Sequence, residues 1–295
     1  MVRVCAVGMA VMDFVFDMPR FPSEAIKYKA DDAVAIGGGC AANAAFAAAK
    51  LGAEVQLAAR LGDDLVGDLI LADLASVGVN MSGCHRANGG RSSFSSVIVD
   101  ADGERQIVNF RGSGLTETTD WVRPEADAVL VDTRWSAGAI AALTWARQAG
   151  VPGVVDAEAP VDPKVVAVAS HVAFSRSGLA QFSGITDLAE SLSVTHAALP
   201  GAVIVTDGEH GAYCWDDGVV HHVAGYRVDV RDTLAAGDIW HGAFAMRLAE
   251  DASTIESMQF ANAAAALKCS AFGGRAGCPD RPTVEAFMRE NHQEG

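Results

Sequence analysis

The apolar residues of the chain fall into short runs that alternate with longer helical patterns. Val2–Val7, Val151–Asp156 and Ala202–Thr206 are mostly apolar and are bounded by glycine or polar residues, which is typical of strands buried on both faces of a parallel sheet. Residues 137–149 and 253–270 are rich in alanine and other good helix formers. The alternation predicts an α/β fold, with a three-layer α/β/α arrangement and a doubly wound sheet.

Two pairs of strand-like segments interrupt this alternation. The first pair lies within residues 11–35 and the second within residues 90–111. In the second pair, residues 92–99 and 104–110 flank Asp100–Gly103, whose composition is typical of a hairpin turn. Inserted strand pairs predict a small separate sheet, and a lid over an active site is a common use for one.

The stretch Asp232–Asp238 (Asp-Thr-Leu-Ala-Ala-Gly-Asp) is a turn of small residues that leads into an apolar helix. At Ala235, Ala236 and Gly237 the backbone N–H groups can approach a bound group closely, and a helix N-terminus favours negative charge. Asp238 at this junction would be close enough to take a proton from a hydroxyl group. An anion hole beside a base is the minimum equipment for phosphoryl transfer to an alcohol, although the same aspartate would also serve as a simple helix cap.

A second glycine-rich turn, Gly37–Asn43, leads into an alanine-rich helix. Asn43 lies in its first turn, where the amide offers both a donor and an acceptor. Asp13 follows the first strand, and ligands in open α/β sheets bind beyond the carboxyl ends of strands, so it could accept bonds from sugar hydroxyls. A solvated loop aspartate and an ordinary strand-to-helix turn would show the same pattern. The chain carries neither a dinucleotide fingerprint nor a Walker A sequence.

Composition narrows the choice of partners and compartment. The formal net charge of −15 argues against a nucleic acid or an anionic membrane as partner. No apolar run approaches the length that spans a bilayer, and we expect no signal peptide. The six cysteines form no C-x-x-C pair, which indicates reduced thiols in a cytoplasmic protein without a zinc site. We find no linker or repeat and expect a single domain over residues 1–295, with the lid inserted.

Together these motifs resemble those of the ribokinase-like (PfkB) carbohydrate kinases over essentially the whole chain. Gly38–Ala45 is similar to the family's first signature, Asp232–Asp238 to its second, and Val205–Gly211 to its nucleotide loop. The three occur in the family's order, with the predicted lid interleaved. The resemblance implies a ribokinase-like fold, transfer of the γ-phosphoryl group of Mg²⁺-bound ATP to a sugar hydroxyl, and a homodimer formed through the lid strands.

The resemblance also implies roles for individual residues. Asp238 would be the base, and the N–H groups of Ala235, Ala236 and Gly237 would hold the developing charge. Four residues would bind the sugar: Asp13, Gly38, Gly39 and Asn43. Four residues would line the nucleotide site: Thr206, Gly208, Gly211 and Asn262.

Two positions depart from the family's pattern. The first glycine of the usual G-A-G-D is Ala235, and if this position requires a positive φ, alanine costs on the order of 1 kcal/mol. The N–H donors remain, which favours an active kinase over an inactive relative. Phe174–Gly178 stands where many relatives carry an Asn-x-x-Glu motif that organises magnesium, and no acid follows until Asp187. The sequence therefore leaves the Mg²⁺ ligands unassigned.

Three polar residues suggest an acceptor that carries an anionic group. Lys27 lies in the first lid segment, Asn109 ends the second, and Arg134 follows the strand that ends at Asp132. Two cations and an amide that converge would suit a tetrahedral oxyanion at the far end of the sugar. Each residue alone would also be explained by a surface ion pair.

More narrowly, several stretches resemble the 6-deoxy-6-sulfofructose kinases of sulfoglycolysis, in which a lysine, an asparagine and an arginine at matching places hold the sulfonate. They include Glu24–Tyr28, Gly103–Asn109, Arg134–Trp135 and Gly273–Gly277. The resemblance implies 6-deoxy-6-sulfofructose as substrate and its 1-phosphate as product. The residues leave open a kinase for fructose 6-phosphate or tagatose 6-phosphate, a kinase for ribose or fructose, and a non-catalytic sugar or nucleotide sensor.

Overall fold

The computed structural model describes residues 1–101, 104–216 and 218–292. Its strands are β1 (Arg3–Gly8), β2 (Val11–Asp17), β3 (Asp32–Gly38), β4 (Glu54–Gly62), β5 (His85–Ala87), β6 (Ser93–Val99), β7 (Arg105–Phe110), β8 (Ala128–Val131), β9 (Gly153–Asp156), β10 (His171–Ser175), β11 (Ala202–Thr206), β12 (Ala212–Asp216) and β13 (Val219–Val223). Asp102 and Gly103 of the predicted hairpin turn lie outside the described residues.

The larger sheet has nine strands in the order β13-β12-β11-β10-β9-β8-β1-β4-β5. The strands from β11 to β5 run parallel to one another, whereas β12 and β13 complete the edge with antiparallel pairing. The predicted parallel sheet is confirmed, and it places the carboxyl ends of β1, β8 and β9 side by side.

Helices cover both faces of this sheet. They are α1 (Cys40–Lys50), α2 (Leu65–Ala75), α3 (Ser136–Ala149), α4 (Pro163–Val166), α5 (Arg176–Ser183), α6 (Leu188–Ala198), α7 (Ala236–Ala249), α8 (Thr254–Cys269) and α9 (Arg281–His292). Val4 and Ala6 of β1 belong to the core that contains α1, α7 and α8, whereas Cys5 and Val7 belong to the core that contains α3. Successive residues of one strand thus serve two separate cores, which confirms the three layers. None of the helices in the described ranges is long and apolar enough to cross a membrane.

The remaining strands form the small separate sheet, which we call the lid, in the order β3-β2-β6-β7. β2 pairs in parallel with β6, and the two outer pairs are antiparallel. The register aligns Asp13 with Ser95 and Ser95 with Asn109, so these three side chains share one face. β3 extends three residues beyond the predicted lid segment, to Gly38, and begins only at Asp32. Lys27 therefore lies outside any strand.

Candidate active site

A buried carboxylate organises the loops above the central strands. Asp132 follows β8 and is 2% exposed. Its carboxylate accepts hydrogen bonds from the N–H groups of Met9 at 2.7 Å and Ala41 at 3.2 Å. It also accepts the N–H of Arg134 at 2.9 Å. Asp132 therefore fixes the turn after β1, the start of α1 and Arg134 relative to one another.

The turn before α7, which we call the anion-hole turn, carries the N–H groups predicted to form an anion hole. Ala235 adopts φ 63° and ψ 11°, the left-handed conformation that costs a non-glycine residue roughly 1–2 kcal/mol. The N–H of Ala236 donates to the carbonyl of Thr233 at 3.2 Å, so this donor is already used. Within the described part of the chain, the N–H groups of Ala235 and Gly237 have no acceptor. These two remain the candidates for holding developing negative charge.

Asp238 lies in the first turn of α7, and its carboxylate meets three other polar side chains. Asn43 Nδ2 donates to Asp238 Oδ2 at 2.7 Å. One ligand atom each of Cys40, Asp156 and Asp238 lie within 4.8 Å of one another. Burial and the neighbouring charge of Asp156 raise the pKa of Asp238 above its ordinary value, and the hydrogen bond from Asn43 opposes this shift. A raised carboxyl pKa suits a general base.

A buried ion pair holds the loop that leads into this turn. Lys268, near the end of α8, is completely buried, and its Nζ lies 3.0 Å from Asp232 Oδ2 and donates to the Asp232 carbonyl at 2.6 Å. The same carboxylate accepts the N–H groups of Leu234, Gly273 and Gly274. Burial raises the pKa of Asp232, but these hydrogen bonds and the Lys268 charge outweigh it and lower the pKa overall. Asp232 therefore joins the anion-hole turn to the loop after α8.

Among the residues predicted to bind the sugar, Asn43 contacts Asp238, the predicted base. Gly38 packs directly against Asp13, because a Cβ at this glycine would lie 2.1 Å from Asp13 Oδ2. Burial raises the pKa of Asp13, while a hydrogen bond from Ser95 and the charge of Arg275 oppose this. Gly39 adopts φ 92° and immediately precedes α1, which carries the fourth residue. The end of β3 and the start of α1 thus bring the predicted sugar-binding residues together.

The residues predicted for the nucleotide line a single cavity of about 1010 Å³. These are Thr206, Gly208, Gly211 and Asn262. The cavity also reaches Ala236 and Gly237, so the predicted nucleotide site is continuous with the anion-hole turn. A cavity of this size accommodates a nucleotide.

Asn262 has a structural task within this cavity. Its Oδ1 accepts the indole N–H of Trp240 at 2.7 Å. Its Nδ2 donates to the carbonyls of Val223 at 3.0 Å and Ala224 at 3.1 Å. Because both amide hydrogens and one lone pair of the oxygen are engaged, we expect Asn262 chiefly to hold the cavity wall in place.

The three residues predicted to hold an anionic group differ in their surroundings. Arg134 forms an ion pair with Glu158. Asn109 donates from Nδ2 to Ser95 Oγ at 2.9 Å. Lys27 is exposed and has no ion-pair or hydrogen-bond partner among the residues that the structure describes. One cation is thus neutralised by protein, and the other faces solvent.

The lid contacts the stretch that leads into α7. Arg105 of β7 donates to Thr233 Oγ1 at 3.1 Å, and Thr233 lies within the stretch that ends at Asp238. Asp13 belongs to the lid as well, since it is part of β2. The lid therefore contacts the stretch that ends at Asp238.

The stretch that departs from the Asn-x-x-Glu pattern ends β10 and begins α5. There Arg176 forms an ion pair with Asp207, whose Oδ2 lies 2.6 Å from the guanidinium nitrogen. A cation therefore occupies the segment where the resemblance implied an acid, and it contacts the nucleotide loop.

Two site residues were missed by sequence reasoning: Lys268, described above, and Arg275. Arg275 is 3% exposed, and one of its guanidinium nitrogens lies 3.3 Å from Asn43 Oδ1. Burial lowers the pKa of this guanidinium to about 10, so it stays charged at neutral pH. The sequence offers only a weak signal, namely the glycines on both sides of Arg275. Lys268 resembles any basic residue in the last turn of a helix.

Comparison with known proteins identifies the family. Residues 1–281 match the model of the pfkB family carbohydrate kinases. The ribokinase of Bacillus subtilis is 26% identical over 97% of this chain and 99% of its own length. A solved structure from Agrobacterium tumefaciens is 37% identical, with a TM-score of 0.93 over 99% of both chains. Arabidopsis thaliana ribokinase, solved with ribose and ATP, is 24% identical with a TM-score of 0.89 over 98% of this chain and 99% of its own, which supports the fold. The chain therefore belongs to the pfkB family of carbohydrate kinases, which are ATP-dependent phosphotransferases with an alcohol group as acceptor.

Proposed function

We propose that the chain transfers the γ-phosphoryl group of ATP to 6-deoxy-6-sulfofructose and forms the 1-phosphate. The observation that best supports an anionic acceptor is the position of Arg134, just after β8 and paired with Glu158. Its partner Glu158 also accepts a hydrogen bond from the Cys40 thiol at 3.4 Å, and Cys40 borders Asp238. A sulfonate could displace Glu158 from the guanidinium, because planar guanidinium groups bind tetrahedral oxyanions in a bidentate manner.

In this proposal the chain's own residues carry the proton and position the acceptor. Asn43 occupies Oδ2 of Asp238, which leaves Oδ1 to accept the proton of the attacking hydroxyl. Asp13 and the backbone at Gly38 and Gly39 orient the sugar. The N–H groups of Ala235 and Gly237 stabilise the charge that develops on the transferred group. Much of the rate enhancement in phosphoryl transfer comes from such positioning and electrostatics.

Mg²⁺ is the usual metal partner in this family, and the acidic cluster fits it in part. Asp156 and Asp238 offer carboxylate oxygens within 4.8 Å of each other, which Mg²⁺ prefers, whereas the Cys40 thiol is a soft ligand. We therefore assign Asp156 as the carboxylate that would hold Mg²⁺. When bound with ATP, the ion would neutralise phosphate charge. Asp156→Asn should raise the Mg²⁺ concentration required for half-maximal ATP binding, measured by calorimetry, and an unchanged requirement would contradict the assignment.

A neutral acceptor, ribose or fructose, is the second candidate. The observation that favours it is the ion pair between Arg134 and Glu158, because a neutralised guanidinium has less attraction for an anion. Relatives named ribokinase and fructokinase are consistent with it. Fructose 6-phosphate and tagatose 6-phosphate form a third group, since a phosphate monoester has the same tetrahedral shape as a sulfonate and a greater charge.

The deciding experiment measures ADP release with 6-deoxy-6-sulfofructose, fructose 6-phosphate, tagatose 6-phosphate, fructose and ribose. Arg134→Ala should lower kcat/KM for the sulfonate by at least about tenfold, equivalent to about 1.4 kcal/mol. The same variant should leave the value for fructose nearly unchanged. Arg147→Ala, which removes an exposed arginine of α3, is the matched control and should change neither.

The outcomes separate the candidates. Turnover of ribose or fructose alone, unaffected by Arg134→Ala, would overturn the anionic acceptor. A preference for either sugar phosphate would replace the sulfonate by a phosphate. Absence of turnover with every sugar, combined with retained ATP binding, would favour a non-catalytic sensor.

We further propose a cytoplasmic homodimer formed through the lid. The first five residues of β7 are exposed, and Val108 is 70% exposed. On the same face, Phe110 packs against Phe94, whereas Phe94 and Phe14 are partly buried against the core that contains α1, α7 and α8. An apolar lid face with exposed edge strands suits pairing with a second copy of the chain.

A further inference from the structure

We propose that Arg275 is a positioning residue for the catalytic base and acts through the side-chain amide of Asn43. One guanidinium nitrogen lies 3.3 Å from Asn43 Oδ1, and Asn43 Nδ2 donates to Asp238 Oδ2 at 2.7 Å. The three side chains form a continuous relay of hydrogen bonds from the loop after α8 to the base. This inference rests on the proposed role of Asp238 in phosphoryl transfer.

Arg275 is held rigidly before any substrate binds. It is 3% exposed and forms an ion pair with Asp73 of α2. Its guanidinium carbon lies 5.0 Å from the centre of the Phe46 ring, a distance at which cation–π attraction contributes. Gly37 leaves room for the guanidinium, because a Cβ at Gly37 would lie 1.5 Å from one of the Arg275 nitrogens. Because these contacts already restrict the Arg275 side chain, it loses little further conformational entropy when it orients Asn43.

The chemistry of the guanidinium dictates which way the Asn43 amide points. Arginine carries donors and no acceptor, so only the amide oxygen can face Arg275. Asn43 Nδ2 must then face the opposite way, toward Asp238. Without Arg275, the amide could rotate by half a turn, and its oxygen would face the carboxylate and repel it. The guanidinium and the carboxylate therefore favour the same amide orientation, and Arg275→Met removes one of the two groups that select it.

The position of Arg275 is coupled to the anion-hole turn as well. The loop that carries it begins with Gly273 and Gly274, whose N–H groups donate to Asp232 Oδ2 at 3.1 and 2.8 Å. Asp232 also begins the stretch that ends at the base, and Lys268 fixes it. The buried pair of Asp232 and Lys268 thus fixes both the loop that carries Arg275 and the anion-hole turn.

A purely structural role for Arg275 makes a different prediction. In that case the ion pair with Asp73 would only fasten the loop to α2, and Arg275 would affect stability without acting through Asn43. A double-mutant cycle separates the two roles, because residues that act through one another give non-additive effects.

The experiment compares Arg275→Met, Arg275→Lys, Asn43→Ala and the double variant Arg275→Met/Asn43→Ala. We expect Arg275→Met to lower kcat on the order of 10- to 100-fold, as for other misplaced catalytic groups, with KM for ATP nearly unchanged. In the Asn43→Ala background the same substitution should change kcat by no more than about twofold. Arg275→Lys should restore part of kcat, because an ammonium can still donate to the amide oxygen.

The matched control is Arg281→Met, which removes a partly buried arginine that is paired with Glu250 and Glu285 and is not part of the relay. It should lower the melting temperature without changing kcat. Losses for Arg275→Met and Asn43→Ala that multiply in the double variant would overturn the inference. The inference would also be overturned by an Arg275→Lys variant that has the melting temperature of the wild type but the kcat of Arg275→Met.

An activity-free measurement keeps the inference distinct from the proposed function. In ¹⁵N spectra of the wild type, the two Asn43 side-chain protons should differ in shift and exchange slowly with solvent, because the amide is fixed. In Arg275→Met they should exchange faster, and in Arg281→Met they should not change. If the wild type turns over no sugar but these spectra behave as expected, the proposed function fails and the relay stands. If turnover is found and the Asn43 signals ignore Arg275, the relay fails and the kinase stands.

Discussion

The buried centre around Asp238 and the lid differ in how their polar side chains are partnered. At the centre, Asn43, Arg275 and Lys268 are 7%, 3% and 0% exposed, and each is hydrogen-bonded or ion-paired within the protein. In the lid and the segment that joins β2 to β3, Asn109 and Lys27 are exposed, and the lysine has no partner among the described residues. The named side chains of the centre are therefore partnered by the protein before a substrate arrives, whereas Lys27 is not.

This difference suggests a division of tasks. A buried polar group without a partner is costly, so we expect the partnered side chains of the centre to keep their contacts whichever acceptor binds. An exposed lysine costs little and can gain a partner from the ligand. We therefore expect the centre to set the rate of phosphoryl transfer and the lid, together with Arg134, to set the choice of sugar.

The largest effect should follow from removing the base. Asp238→Asn deletes the proton acceptor, so kcat should fall by about 10²- to 10⁴-fold, while the Kd for ATP should stay close to that of the wild type. Steady-state kinetics and calorimetry measure the two quantities. Asp251→Asn, at an exposed position with φ 62° that asparagine tolerates, is the control. A variant with near wild-type kcat would exclude Asp238 as the base.

The buried ion pair beneath the anion hole should give the next largest effect. Lys268→Met leaves Asp232 without its buried cation, and breaking such a pair lowers the free energy of unfolding by roughly 3–5 kcal/mol. Urea denaturation measures this loss. Lys50→Met, at the exposed end of α1, should change stability by less than about 0.5 kcal/mol. Equal effects at the two lysines would show that Lys268 does not brace the turn.

The lid should respond through assembly rather than through folding. Val108→Glu places a charge on the apolar lid face, and we expect it to convert the proposed dimer to monomer with little change in melting temperature. Val219→Glu, at an exposed position on β13, should leave the dimer intact. Sedimentation velocity distinguishes the two states. A wild type that is monomeric at micromolar concentration would contradict the proposed dimer.

The smallest effect concerns the strained alanine. Ala235→Gly should raise the free energy of unfolding by up to about 1 kcal/mol, because glycine adopts φ 63° without strain but loses more entropy on folding. Ala49→Gly, within α1, should lower it by up to about 1 kcal/mol. Thermal denaturation of both variants tests whether the two substitutions change the free energy of unfolding in opposite directions.

The sequence predicted what depends on local pattern. The apolar runs indicated the parallel sheet, and the inserted strand pairs indicated the lid. The sequence also indicated that Ala235 would be strained if its φ were positive, and φ is 63° in the structure. The nucleotide residues also line one cavity. Each of these follows from short-range composition or from motif order.

The sequence could not predict contacts that join distant segments. Arg275 and Asn43 are far apart in the chain, and nothing in a glycine-rich loop indicates that its arginine turns inward. The pairing of Arg134 with Glu158 was likewise hidden, because it depends on the loop after β9. Asn262 lines the predicted cavity, but only the structure reveals that its amide is already occupied.

The division of tasks between centre and lid is tested most directly by the ratio of kcat/KM for 6-deoxy-6-sulfofructose to that for fructose. We predict that Lys27→Ala lowers this ratio by at least about tenfold, or about 1.4 kcal/mol, while kcat for fructose stays unchanged. Lys29→Ala, two residues along the same exposed segment, should leave the ratio as in the wild type. A ratio that is equal in both variants and the wild type would contradict acceptor selection by the lid.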